Sequence, residues 1–321
     1  MGAKRTEGVV SEIECENIVN SEWFSAVHGD AVSVARQLPS NSVGLNVHSP
    51  PFANLYCYSD SELDMGNSVD DQQFIEHYRF LIREQHRVMR PGRIVAVHCK
   101  NLVDYKGRDG RAGIRDFRGE IIRAYEAEGF KLHSEVTIWK CPVTEMQRTK
   151  AHGLLYKQLR RDSSFSRQGM AEYICAFRKW ADDGEEVEPI THTDEDFTLD
   201  EWQKIASPVW MHIDQTNVLN VSEAREDRDM KHMCPLQLDV IEHIVRLWSN
   251  PGDLVWSPFM GIGSEGVGAM TARNALRKLE PRRFIGTELK QQYWQQAVKN
   301  LRAHEPESVG QQIELFGGAA A

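Results

Sequence analysis

Short apolar runs alternate with longer stretches whose apolar positions recur at helical spacing, and this alternation limits the fold more than any other feature of the chain. "SVGLNV" (42–47) reads as a buried strand. "DDQQFIEHYRFLIREQHRVM" follows, with Phe74, Tyr78, Leu81, Ile82, Gln85 and Val88 on one helical face. Arg90-Pro91-Gly92 closes that helix, "RIVAVHC" is the next strand, "FRGEIIRAYEAEGF" the next helix and "SEVTIWK" the strand after it. The rhythm breaks at 178–202, an acidic and irregular stretch that reads as a surface insertion or small subdomain. It resumes with "LQLDVIEHIVRLW", "GDLVW", a glycine-rich turn into a helix, "RRFIGTEL" and "KQQYWQQAVKNLRAH". Strands alternating with helices predict a doubly wound α/β fold with a mostly parallel sheet.

The chain of 321 residues is 41% hydrophobic, enough for a sizeable core. Its formal net charge of −9 means that any nucleic-acid surface must be a local basic patch. No apolar run is long enough to cross a membrane, and the N-terminal segment lacks the apolar stretch of a signal peptide. The six cysteines are scattered without a C-x-x-C pair. That argues against a disulfide framework or a metal site and for a reducing cytoplasm.

Two stretches carry chemistry. In "LNVHSPPFANLY" a strand ends in Ser49-Pro50-Pro51-Phe52. Two prolines remove two backbone donors and fix two φ angles. They also push Ser49 into an extended conformation. The result is a stiff corner, either a plain strand-ending loop or a cradle for a ligand that donates hydrogen bonds. In "GDLVWSPFMGIGSEGVGA" a strand runs into Gly261-Ile262-Gly263 and then a helix near Ser264. Glycines allow a tight turn and close approach of a ligand, and a helix N-terminus offers free N–H groups. Glu288 ends the next strand, where a carboxylate can accept from ribose hydroxyls. The glycines alone are no more than a turn. The full strand–glycine–helix–strand–acid series points to an adenosine-containing ligand.

Taken together, these stretches resemble the amino-directed DNA methyltransferases, which methylate exocyclic amines of cytosine or adenine with S-adenosylmethionine (SAM). "VHGDAVSVARQLPSNSVGLNVHSPPF" is similar to the segment leading to the family's S/D/N-P-P-aromatic tetrapeptide. "RVMRPGRIVAVHC" resembles the helix, turn and strand after it. "KHMCPLQLDVIEHIVRLWSNPGDLVWSPFMGIGSEG" resembles the SAM segment, and "RRFIGTELKQQYWQQAVKNL" the ribose-binding strand with its helix. The tetrapeptide precedes the SAM loop, as in the permuted β class. The resemblance implies a circularly permuted SAM-dependent methyltransferase fold with an inserted target-recognition region. It divides the chain into a catalytic half (1–147), a recognition region (148–230, its start able to join the sheet) and a SAM-binding half (231–321).

The resemblance also assigns roles. Ser49 and the Pro50 carbonyl accept the two N–H groups of the target amine, Pro51 stiffens the corner, and Phe52 stacks on a base flipped from the duplex. Asp30, His232, Pro235, Phe259, Gly261, Gly263, Ser264 and Glu288 fall at cofactor positions. Asp30 reads equally well as a turn or cap residue, and Pro235 as a helix start. One position departs from the pattern: Ser257 stands where the family commonly has an aspartate at the methionine end of SAM, so either Glu265 or a backbone group substitutes or SAM binding is weak. No metal is implied. Serine in the tetrapeptide leans toward cytosine N4, with adenine N6 as the alternative and a catalytically inactive DNA-binding relative as the contrasting class.

"QRTKAHGLLYKQLRRDSSFSRQG" carries Arg148, Lys150, Lys157, Arg160, Arg161 and Arg167 against a single acid, Asp162. Tyr156 and Phe165 lie among them. This reads as a solvated basic face or, given its place between the two halves, a phosphate-contacting surface. The partners implied are double-stranded DNA and no membrane, with room for a homodimer and a cognate restriction enzyme. The setting implied is the cytoplasm of a bacterium or a phage-infected cell.

Overall fold

A computed structural model describes residues 17–51, 68, 71–149, 156–165, 167–219 and 235–307. The strands are β1 (Asn17–Asn20), β2 (Phe24–His28), β3 (Val43–His48), β4 (Met89–Cys99), β5 (Leu102–Asp104) and β6 (Gly113–Arg115), then β7 (Lys131–Ile138), β8 (Glu172–Arg178), β9 (Val209–Trp210), β10 (Leu254–Ser257) and β11 (Arg283–Glu288). The helices are α1 (Ala31–Gln37), α2 (Asp71–Val88), α3 (Lys106–Asp109), α4 (Phe117–Ala127) and α5 (Pro142–Thr149), then α6 (Tyr156–Arg161), α7 (Leu199–Ile205), α8 (Leu238–Trp248), α9 (Ser264–Thr271) and α10 (Gln291–Ala303).

Among the described residues one nine-stranded sheet runs β1-β2-β11-β10-β3-β4-β8-β7-β9, and β5 pairs with β6 apart from it. From β2 to β4 the neighbours are parallel. β8 is antiparallel to both β4 and β7. One face is covered by α8, α9 and α10 through Ile241, Ile244, Val267, Met270, Ala297 and Leu301. The other is covered by α1, α2 and α4 through Ala35, Phe74, Leu81, Ile82, Ile121 and Tyr125. The face expected for α2 is buried throughout: Phe74, Tyr78, Leu81, Ile82, Gln85 and Val88 have no exposed surface. Helix starts are set by short acceptors, Asp30 on α1, Asp116 on α4 and a Thr198–Glu201 capping box on α7.

The start of the 148–230 region joins the sheet, as its reading allowed: β8 is an inner strand between β4 and β7, and farther on β9 extends the edge. The acidic stretch is likewise tied down at its end. Phe197 near its end, and Ile205, Trp210 and Ile213 just beyond it, are buried in the core shared with α8, and the Trp210 indole donates to the Ile205 carbonyl at 2.9 Å. The acid-rich composition of 178–202 concealed Phe197 as an anchor.

Parallel order reverses between β3 and β10. The chain leaves β10 through α9 for β11 on one side, and leaves β3 through α2 for β4 on the other. Such a reversal opens a crevice at the carboxyl ends of the two strands, where ligands bind in open α/β sheets.

Candidate active site at the carboxyl ends of the central strands

Two segments distant in sequence meet at this crevice. β3 and β10 pair with Leu45 opposite Val255 and Asn46 opposite Trp256. Beyond His48 the chain turns into Ser49-Pro50-Pro51, and beyond Ser257 into the glycine loop. Phe259 of that loop packs between them, its ring 5.8 Å from His48 and 6.4 Å from Tyr78. Phe52 lies outside the described residues, as does the stretch 53–67 read as a polar loop.

Behind the corner runs a buried polar network. The His48 ring is hydrogen-bonded to Asn46 at 2.7 Å and to the Tyr78 hydroxyl at 2.6 Å. Tyr78 contacts Tyr125 at 3.0 Å, and Tyr125 donates to Gln85 at 2.7 Å. Burial lowers the His48 pKa to about 3, so the ring is neutral. A bonded network of this kind fixes the direction in which β3 delivers Ser49.

Ser49 itself faces β4. Its Oγ lies 2.8 Å from His98 Nδ1, and His98 Nε2 lies 3.2 Å from Glu172 Oε2. Lys140 Nζ stands 2.5 Å from the same oxygen. Three strand ends supply this line: His98 from late β4, Glu172 from the start of antiparallel β8, and Lys140 just after β7. Burial alone would raise the Glu172 carboxyl, but the bonds and charges of His98 and Lys140 outweigh it and hold the pKa well below the usual range. The motif-based reading missed all three residues. The only signals were a histidine closing one strand and a glutamate opening another, and neither type is informative without the register.

The glycine loop is a tight left-handed turn. Gly261 has φ +53° and Gly263 φ +91°, both in the region that favours glycine. A side chain added at Gly261 would meet open space within 4 Å. Glu288 braces the loop, accepting from the Gly261 N–H at 3.0 Å and from the Lys290 N–H at 2.8 Å. Ser257 and Ser264 are buried, and their hydroxyls have no hydrogen-bond partner among the described residues. Nor has the buried Thr287 hydroxyl, next to Glu288. An unpaired buried hydroxyl is costly, which suits a polar ligand at this loop. Glu265, in the first turn of α9, is pushed up to about 8 by burial, with the Glu288 charge adding to it.

The remaining expected cofactor residues are placed as follows. Asp30 caps α1, accepting from the Ser33 N–H at 2.8 Å. Pro235 lies before α8, whose N-cap is Gln237, so it does not fill the first helical position. His232 lies outside the described residues.

The basic stretch sits at the same end of the sheet. α5 is anchored there by Glu145, whose buried carboxylate takes Lys100 Nζ at 3.2 Å just beyond β4. α6 buries none of its residues. Lys157, Arg160 and Arg161 are exposed, and none is ion-paired among the described residues. The Arg160 guanidinium lies 5.1 Å over the Tyr156 ring, and Tyr156 and Phe165 are each 67% exposed. Arg167 is partly buried, while Lys150 and the Arg148 side chain lie outside the described residues. A separate cleft of about 340 Å³, lined by Asn41, Arg90, Pro91 and three glutamates, opens at the opposite end of the strands and takes no part in this site.

Among the described residues, a nine-stranded α/β sheet carries a proline corner and a glycine loop at its switch point, where open α/β sheets bind their ligands. Residues 43–299 match the N6/N4 methylase family, described as DNA methylase, and the chain belongs to that family. No curated protein matches it in sequence. Among solved structures it resembles a candidate DNA modification methylase of Thermus thermophilus complexed with S-adenosyl-L-methionine, at 21% identity and TM-score 0.62, covering 88% of this chain and 94% of that one. It also resembles the cytosine-N4-specific PvuII DNA methyltransferase, at 17% identity and TM-score 0.60, covering 91% and 90%. These likenesses establish the shared fold. The cofactor of the family is SAM, and the residues present fit it: open space beside Gly261, the Glu288 carboxylate bracing the loop and buried hydroxyls without partners among the described residues.

Proposed function

We propose that the protein methylates the exocyclic N4 amine of a cytosine flipped out of duplex DNA. The observation that carries this reading is the β3–β10 pairing, which sets the Ser49 corner beside the glycine loop. An exocyclic amine is a poor nucleophile because its lone pair is conjugated with the ring. Acceptors on its two N–H groups favour the more tetrahedral, nucleophilic state. Ser49 Oγ serves one N–H and the Pro50 carbonyl the other. Two prolines hold that carbonyl rigid, so little reorganisation is needed as the transition state forms. Phe52 stacks on the extruded base. When bound, SAM supplies a methyl already activated as a sulfonium. Glu288 holds its ribose, and Gly261 and Gly263 let the backbone approach it. The buried Ser257 and Ser264 hydroxyls, with Glu265, take the place of the absent aspartate at the methionine end. Lys157, Arg160 and Arg161 contact phosphates while Tyr156 and Phe165 offer stacking faces.

The test is methyl transfer by the purified protein to duplex DNA, RNA and protein side by side, with the product identified by nucleoside mass spectrometry. N4-methylcytosine in duplex DNA is expected. N6-methyladenine alone would move the target to adenine, and SAM binding with no modified nucleoside would mean that catalysis has been lost.

A further inference from the structure

We infer that His98, backed by Glu172 and Lys140, orients the Ser49 hydroxyl and takes up the proton released from the target amine; this rests on the reading of Ser49 as the acceptor for that amine. A serine hydroxyl is ambivalent, with one proton to give and two lone pairs to offer. It serves as an acceptor for an amine N–H only if its own proton points elsewhere. A carboxylate at this position would need no such help. His98 Nδ1 at 2.8 Å is the group that can take the Ser49 proton. For Nδ1 to accept, the ring's proton must sit on Nε2, and Glu172 at 3.2 Å is the acceptor that holds it there. Lys140 at 2.5 Å, with Glu172 held well below the usual carboxylate range, keeps that acceptor ionised. The line therefore has one polarity: ammonium to carboxylate, Nε2–H to carboxylate, hydroxyl to Nδ1, and amine N–H to hydroxyl.

The same line balances the reaction. The amine nitrogen forms a bond to the methyl carbon, and the carbon–sulfur bond breaks with its electron pair staying on sulfur. The nitrogen then carries one proton too many. That proton passes to Ser49 Oγ as the hydroxyl proton moves to His98 Nδ1. The positive charge ends as an imidazolium beside Glu172, and the methylated base leaves neutral. His98 acts through Ser49, so it is a positioning and relay residue. The groups bonded to it are Ser49 after β3 and Glu172 on β8, with Lys140 after β7 paired to Glu172.

Two measurements test this. In the unliganded wild type, nitrogen NMR of the His98 ring should show a bare Nδ1 and a protonated Nε2. The opposite tautomer would overturn the polarity, whatever the enzyme's substrate. In single-turnover assays, His98→Ala should slow methyl transfer by about a hundredfold, the usual scale of a positioned acid–base group, with the dissociation constants for SAM and DNA held within about twofold. Added imidazole should restore part of the rate to His98→Ala. It should do nothing for His98→Asn, which fills the site and can orient the hydroxyl but cannot carry a proton. A wild-type rate in His98→Ala would overturn the inference, as would a loss that tracks DNA affinity and ignores imidazole. A wild type that binds SAM yet methylates no nucleic acid would refute the underlying reading of the site. The ring tautomer would still decide the polarity.

Discussion

The two ends of the central sheet are built on opposite principles. At the amino ends of the parallel strands, charge meets charge. Asp253 accepts from Arg90, from Arg93 at 3.0 Å and from the Asn250 N–H at 2.8 Å. Glu188 takes the same two arginines at 2.5 and 2.9 Å. Lys179 donates to Asn41 and to the Met89 carbonyl, and Arg282 to Ser249. Arg90 and Arg93 each leave the Nε–H unpaired among the described residues, while both terminal nitrogens of each are bonded. At the carboxyl ends Gly261 has open space beside it, three hydroxyls lack partners among the described residues, and a buried glutamate feels the charge of a second carboxylate, Glu288. The amino end pairs its carboxylates and the terminal nitrogens of Arg90 and Arg93 within the chain. The carboxyl end keeps polar groups for something the chain does not contain. Strain of that kind gathers at functional sites and is offset elsewhere in the fold.

The contrast can be broken from either side. Asp253→Ala should have the largest effect on stability. It leaves the buried Arg93 with only the more exposed Glu188 as a partner, and should cost up to about 3–5 kcal/mol in a denaturant titration, while the surviving folded protein binds SAM normally. A small change there would mean that the amino-end charges are not the fold's support. Glu288→Ala should do the reverse. SAM affinity should fall by about 1–3 kcal/mol in calorimetry as the ribose hydroxyls lose their acceptor. Unchanged affinity in a folded variant would remove Glu288 from the cofactor site.

Protonation sharpens the contrast further. Glu265 has its folded pKa raised from 4.5 to about 8. Its contribution is therefore fully present below the unfolded value and is lost as pH rises toward 8. Glu172, with its pKa depressed, contributes above its unfolded value of 4.5 and loses that contribution as pH falls. The unliganded protein should thus lose stability between about pH 5 and pH 8, and Glu265→Gln should flatten that slope. At pH 7 Glu265 is mostly protonated, so a cationic ligand beside it should release a proton on binding. Calorimetry in buffers of different ionisation enthalpy reads that release directly. A binding enthalpy independent of buffer would place the cation elsewhere.

The mildest effect is expected at the basic stretch. Arg160→Ala with Arg161→Ala should weaken DNA binding and flatten its salt dependence by roughly one unit of slope per lost contact. Equal slopes for variant and wild type would make α6 a solvated face.

The sequence was most legible where one residue type has one physical use. The period of α2 was readable because Phe74, Leu81 and Ile82 share one buried face. The glycine loop was readable because φ angles of +53° and +91° suit glycine. Much less of the site could be read wherever chemistry depends on register. His98, Glu172 and Lys140 come from three strands whose neighbours are set by the sheet order, and nothing local marks them as partners of Ser49. The inner place of β8 was hidden for the same reason, since an antiparallel strand inserted among parallel ones has no local signature. Asp30 shows the limit from the other side: the cap it forms on α1 is one of the two readings that its place in the sequence allows.

The proposed reaction, methylation of a cytosine amine in DNA, runs through Ser49 at the carboxyl end of the sheet. The most direct measurement is nucleoside mass spectrometry of DNA from cells expressing either the wild type or Ser49→Ala. The wild type should leave N4-methylcytosine. The variant, folded and still binding SAM, should leave about a hundredfold less or none, the loss typical when a preorganised polar group is removed. Equal N4-methylcytosine from both would contradict the account, and so would DNA free of N4-methylcytosine from a wild type that binds SAM.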